Sequence, residues 1–198
     1  MNQNRKNNVY KLTLAAILIA LATVLSLIKV FKAPLGGSVT LLSMLPIAII
    51  SASLGLKWGI GSAFVYSLIQ LALGIGLDGL LGWGLTPAML IGTIMLDYVL
   101  AFTVLGFSGI FAKKGTWGVV LGTALSILAR FLCHFASGFI IFQELEQFEV
   151  FGKIFSGKPV LYSLCYNGLY MLPELVITVI YAGVLFGIKP IKKLISRQ

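Results

Sequence analysis

Six apolar blocks, each nearly free of charge, follow one another along this chain, separated by short stretches of glycine, proline and lysine. They run from Tyr10 to Val30, Ser38 to Leu54, Trp58 to Leu77, Leu85 to Ala112, Trp117 to Phe142 and Val160 to Ile188. About 20 such residues cross a bilayer as a helix, so the pattern predicts an all-α membrane protein with six transmembrane helices. The second block is short, and its start is a candidate re-entrant segment. The last three are long enough to tilt or to project beyond the hydrocarbon. Charged residues make up 11% of the chain. A soluble domain carries about 25%, so too little polar surface exists to cover a water-soluble globule. One bundle spanning residues 1–198, in a single domain, is the expected organisation.

The net charge of +9 would suggest nucleic acid in a soluble protein, but here the basic residues gather at block ends and no aromatic-interleaved basic patch occurs. With the N-terminus inside, the inner side carries Arg5, Lys6, Lys11, Lys57, Lys113, Lys114, Lys189, Lys192, Lys193 and Arg197. The outer side carries Lys29, Lys32, Lys153 and Lys158. Both termini are therefore expected in the cytoplasm of a cell membrane. The first block is a full span without a small-residue cleavage site, which argues against a cleaved signal peptide. The outer connection QELEQFEVFGKIFSGKP, with Glu144, Glu146 and Glu149, reads as an amphipathic cap or as an ordinary solvated loop.

Ionisable groups at membrane depth cost roughly 2.5–3.5 kcal/mol each on insertion, so each is a candidate functional residue. Four stand out: Asp97 in MLDYVLAF, Arg130 and His134 in RFLCHFASG, and Glu174 in YMLPELV. Arg130 and His134, four apart, share a helix face. Asp97 lies about 18 Å from the outer end of its span, a depth similar to that of Arg130, which suggests an Asp97–Arg130 pair across antiparallel helices. Tyr162 and Asn167 fall near the level of His134. Glu174, after Pro173, is a second candidate partner for Arg130. Ionised Asp97 and Glu174 against Arg130 leave one negative charge in excess, which a monocationic organic ligand would balance. The alternative for each residue is a purely structural role in fixing helix register.

No Walker A sequence and no GxGxxG motif occurs, so ATP hydrolysis is expected on other subunits. One histidine and the separated Cys133 and Cys165 do not form a familiar metal site, and no cofactor is expected. Six spans without a repeat are few for a self-sufficient transporter.

The blocks GGSVTLLSMLPI at 36–47, LDYVLAF at 96–102, RFLCHFASG at 130–138 and YSLCYNGLYMLP at 162–173, with their spacing, resemble the thiamine-specific substrate-binding (S) component of energy-coupling factor vitamin transporters. The resemblance covers nearly the whole chain. It implies a six-helix fold that binds thiamine from outside, and partners in the form of a transmembrane coupling subunit and two cytoplasmic ATPases. It places Asp97 as the acidic residue facing the ligand, His134 as the site histidine, and Gly138 as the small residue one turn on. It makes Tyr162 and Asn167 the pair reading the pyrimidine, and Arg130 a charge partner below. Some members have tryptophans where Gly37 and Phe142 stand here; Phe142 can still stack, and Trp83 is a candidate substitute for the other. Tyr98 and Ser38 join Gly37 and Trp83 as secondary site candidates. Ala16 and Ala20 match a small-residue pattern that docks the coupling subunit. Kept beside this reading are an S component for a related pyrimidine or another vitamin, a small intramembrane enzyme using Asp97 and His134 as acid and base, and a structural or assembly protein.

Overall fold

A computed structural model describes residues 3–33, 36–142, 149–150, 153–154 and 157–195. Helix α1 (Gln3–Leu27) leads into an antiparallel hairpin of β1 (Lys29–Lys32) and β2 (Ser38–Thr40). Helices α2 (Leu45–Leu54) and α3 (Leu56–Gly76) follow, then α4 (Pro87–Lys114), α5 (Thr116–Ile140), α6 (Pro159–Gly187) and the short α7 (Lys189–Ile195). A second two-stranded pairing, β3 (Glu149–Val150) with β4 (Lys153–Ile154), lies between α5 and α6. The cap suggested by Glu144 and Glu146 falls outside the described residues.

Five helices, α1, α3, α4, α5 and α6, are long and apolar enough to cross a membrane. The second apolar block does not form a sixth span of that kind. Ser38–Thr40 is a strand, a turn follows, and the helix begins only at Leu45, with proline in its first turn. Ten residues rise about 15 Å, half of the hydrocarbon thickness. Pro46 fits at a helix start, where its missing N–H costs nothing.

Helix α4 changes winding along its length. Thr86 caps it by accepting from the Met89 N–H at 3.4 Å, and Pro87 opens it. Residues Ile94–Leu100 then form a π-helix, and Val104–Gly109 tighten into a 3₁₀ segment. The tight segment packs where glycines let backbones touch: a Cβ at Gly106 would lie 2.5 Å from the Ile60 Cα. Ser51, from α2, ties the same segment down by donating to the Gly106 carbonyl at 2.5 Å and accepting from the Gly109 N–H at 2.9 Å. Tyr66, Ile47, Ile50 and Ile127 fill the interior, while Leu12, Ile17, Leu132 and Val184 stay exposed on the outside. Such an apolar exterior suits lipid.

Gly106→Ala is expected to lower stability by about 1–3 kcal/mol, because the obstructing atoms are backbone and cannot swing away. Gly168→Ala, whose nearest neighbour is a leucine methyl 3.9 Å off, should change little; thermal unfolding of both variants in detergent checks the contrast.

Candidate functional site

At the hairpin end of the bundle, one cavity opens among the hairpin, the α3–α4 connection and helices α1, α3, α4, α5 and α6. The space between its walls, open solvent at the mouth included, is about 890 Å³. The sequence candidates converge on it: Asp97, Arg130, His134, Gly138, Phe142, Tyr162 and Asn167 all line it, and so do Gly37, Ser38, Trp83 and Tyr98. The π-helix helps here, because its widened turn turns the consecutive Asp97 and Tyr98 toward one cavity.

The polar side chains form a directed chain. The Arg130 Nε–H donates to His134 Nε2 at 3.2 Å. A guanidinium has no acceptor, so Nε2 carries no proton and the imidazole proton sits on Nδ1. Nδ1 then donates to Asp97 Oδ1 at 2.8 Å, and the Ser137 hydroxyl donates to Asp97 Oδ2. The direct Asp97–Arg130 pair expected from depth is therefore replaced by a pair bridged through His134. Four-residue spacing puts His134 one turn above Arg130 and level with Asp97, so the ring fills the gap. Arg130 instead lays its guanidinium carbon 4.2 Å from the centre of the Phe102 ring. Glu174 feels the charge of Arg130 but makes no direct hydrogen bond or ion pair with it: that carboxylate accepts from the Thr40 N–H at 2.5 Å and from the Thr40 hydroxyl at 2.6 Å. Its pairing follows the unwound second block, which leaves the Thr40 N–H without a helical acceptor.

On α6, the Asn167 amide donates to the carbonyls of His134 at 3.1 Å and Ser163 at 3.0 Å, and also meets Ser163 Oγ at 3.1 Å. Its Oδ1 accepts from the Tyr170 hydroxyl at 2.7 Å. Gly138 makes this contact possible, since a Cβ there would come within 3.1 Å of Asn167 Nδ2. The protons of Ser137, His134, Asn167 and Tyr170 are thus spent inside the protein. What Asp97, Ser137, Asn167 and Tyr170 offer to the cavity is oxygen lone pairs.

The whole-chain comparisons now bear on this geometry. The model of the thiamine transporter protein family (Thia_YuaJ) matches residues 12–194. The chain belongs to that family. The thiamine transporter ThiT of Bacillus subtilis (strain 168) is 32% identical over 205 residues, covering 96% of each chain. The solved structure of ThiT from Listeria monocytogenes superposes with a TM-score of 0.69 at 22% identity, covering 96% of this chain and 98% of that one, and so shares the fold. The all-helical, multi-pass membrane architecture expected from the sequence is the architecture of this thiamine transporter family member.

Several cavity residues of the family member escape a reading of buried charge alone. Tyr162, Tyr166 and Tyr170 form an i, i+4, i+8 stripe whose rings stack or meet edge-on at 5.8 and 5.9 Å. The spacing was visible in YSLCYNGLY. Asp78 sits just past the third block, where nothing in the local sequence separates it from an ordinary loop acid. It lies at the cavity mouth, 2.7 Å from the Lys29 ammonium and 3.0 Å from that of Lys32. Its backbone carbonyl accepts from the Trp83 indole N–H at 3.0 Å. Trp83 in turn stands 6.3 Å from Phe142, edge to face, and so close to Gly36 that a Cβ there would crowd its ring at 3.2 Å. It thereby supplies an aromatic wall beside Gly37, whose own missing side chain leaves room for Tyr166 and Tyr170. Ala16 and Ala20 lie elsewhere, in a separate open apolar groove between α1 and α3 that Trp58 and Gly61 also line.

Burial pushes the Asp78 carboxyl up, but the hydrogen bonds and charges of Lys29 and Lys32 outweigh it and hold the group below its ordinary value. A depressed folded-state value means that the stabilisation is complete above the unfolded value, roughly 3.9, and is lost as pH falls below it. The melting-temperature gap between wild type and Asp78→Asn should therefore hold from pH 7 to 5 and close toward pH 3.

Proposed function

We propose that the protein is the thiamine-binding component of an importer, taking thiamine from outside into the cavity around Asp97, His134 and Asn167. The observation that carries this reading is the patch of acceptor oxygens that Asp97, Ser137, Asn167 and Tyr170 turn to the cavity. Thiamine joins a fixed cation to an aminopyrimidine whose exocyclic amine donates two hydrogen bonds, and both features call for oxygen lone pairs and negative charge. Asp97 is the group for the amine and for charge. Asn167 and Tyr162 face the pyrimidine, and Phe142, Trp83 and Tyr98 offer ring faces to the thiazolium. Gly37, Ser38 and Gly138 keep the walls shallow. His134 acts by holding Asp97, since both its nitrogens are engaged. Arg130 balances Asp97 through that ring.

The same reading places both termini in the cytoplasm and assigns energy coupling to separate subunits, a transmembrane coupling protein and two ATPases. Ala16 and Ala20, both exposed in their groove, are the proposed docking face for the coupling subunit; small residues allow close helix approach.

Calorimetric titration of ligand-stripped protein should give saturable one-to-one thiamine binding. Asp97→Asn replaces an acceptor with a donor and removes the charge, and should weaken binding by about tenfold to a hundredfold in protein that remains folded. Thiamine failing to bind folded wild-type protein overturns the ligand assignment. Ala16→Leu with Ala20→Leu should leave that affinity unchanged while abolishing uptake by cells; intact uptake would remove the groove from the docking proposal.

A further inference from the structure

Glu174 is 2% exposed and is not itself part of the cavity lining, yet it holds two residues' worth of that lining in place. One of its oxygens, Oε1, takes both the Thr40 N–H and the Thr40 hydroxyl proton. Thr40 has only that one hydroxyl proton, so in the 2.7 Å contact between Thr40 Oγ1 and Ser43 Oγ it is Ser43 that donates. Thr40 and Ser43 both line the cavity. Between them stands Leu42 with φ of 60°, the single non-glycine residue in the left-handed region among the described residues. A leucine there is strained and persists only where its surroundings impose the conformation. Pro46 stops α2 from extending back through this stretch, but it does not set the path of the Thr40–Ser43 turn, which is left to the contacts of Thr40 and Ser43.

We propose that Glu174 is a positioning residue for ligand binding: it clamps the strained Thr40–Ser43 turn in place and so fixes the floor of the cavity. The carboxylate gives the Thr40 N–H an acceptor that a helix would otherwise have supplied. Because the turn continues directly from β2, the same clamp sets the height at which Gly37 and Ser38 face Tyr166 and Tyr170. This role rests on thiamine being the ligand of that cavity.

The test is thiamine titration of Glu174→Ala, Glu174→Gln, Thr40→Val and Leu42→Gly, with Glu174→Ala also combined with each of the last two. Glu174→Ala should weaken binding about tenfold or more, the scale of a lost hydrogen bond to a charged group. Glu174→Gln keeps an acceptor oxygen and should recover most of that loss. Adding Thr40→Val to Glu174→Ala should cost little more, because both break one contact. Leu42→Gly should restore part of the affinity of Glu174→Ala, since glycine adopts positive φ without strain. A Glu174→Gln variant as weak as Glu174→Ala, or no rescue by Leu42→Gly, overturns the clamp in favour of a purely electrostatic role. Thr40→Val alone tests the same contact if Glu174→Ala fails to fold, and unchanged affinity there also overturns it. Wild type that binds no thiamine instead defeats the ligand assignment, a separate outcome.

Discussion

A guanidinium held inside an apolar bundle must be given acceptors, and the way Arg130 receives one shapes the site around it. Removing such a charge from water costs several kcal/mol, so both its hydrogen bonds and the cover over its flat face count. One is spent on His134, and the face of the cation is covered by Phe102. That single hydrogen bond decides the tautomer of the imidazole. The tautomer in turn aims a proton at Asp97, and Ser137 completes the carboxylate from the same helix. Once Asn167 and Tyr170 have also spent their protons inward, the part of the wall around Asp97 welcomes donors and cations. Selectivity here follows from which atoms have no proton left.

The backbone departs from regular helix where it meets this network. α4 widens into a π-helix at Asp97 and Tyr98, and the second apolar block stays unwound until Leu45. Both departures deliver consecutive or near-consecutive polar side chains to the cavity, which an unbroken α-helix would spread around its circumference. The glycine contacts at Gly59, Gly106 and Gly109 hold the other end of α4 tightly against α2 and α3. The π-turn and the unwound block thus fall at the ligand end, while the opposite end of α4, wound as a 3₁₀ segment, is packed backbone to backbone.

Much of this was legible in the sequence. Apolar block length gave five of the six expected membrane helices, and buried charge pointed to Asp97, Arg130, His134 and Glu174. Helical spacing put Arg130 and His134 on one face. Pairing was less legible, because depth along a helix says nothing of rotation about it, and a rotation of one residue decides whether Asp97 meets Arg130 or His134. The partner of Glu174 was hidden for a different reason: Thr40 has a spare N–H only because its segment is not helical, and an apolar run such as TLLSMLPI reads as helix. Asp78 was hidden because a loop acid acquires its role only when Lys29 and Lys32 fold back upon it.

His134 is the chain's only histidine, so selective ¹⁵N labelling of histidine reports on one ring. A neutral imidazole protonated at Nδ1, unchanged in tautomer when thiamine is added, is the expected result. A proton on Nε2, or a ring that becomes imidazolium with ligand bound, would contradict the chain from Arg130 to Asp97 and with it the acceptor patch around Asp97.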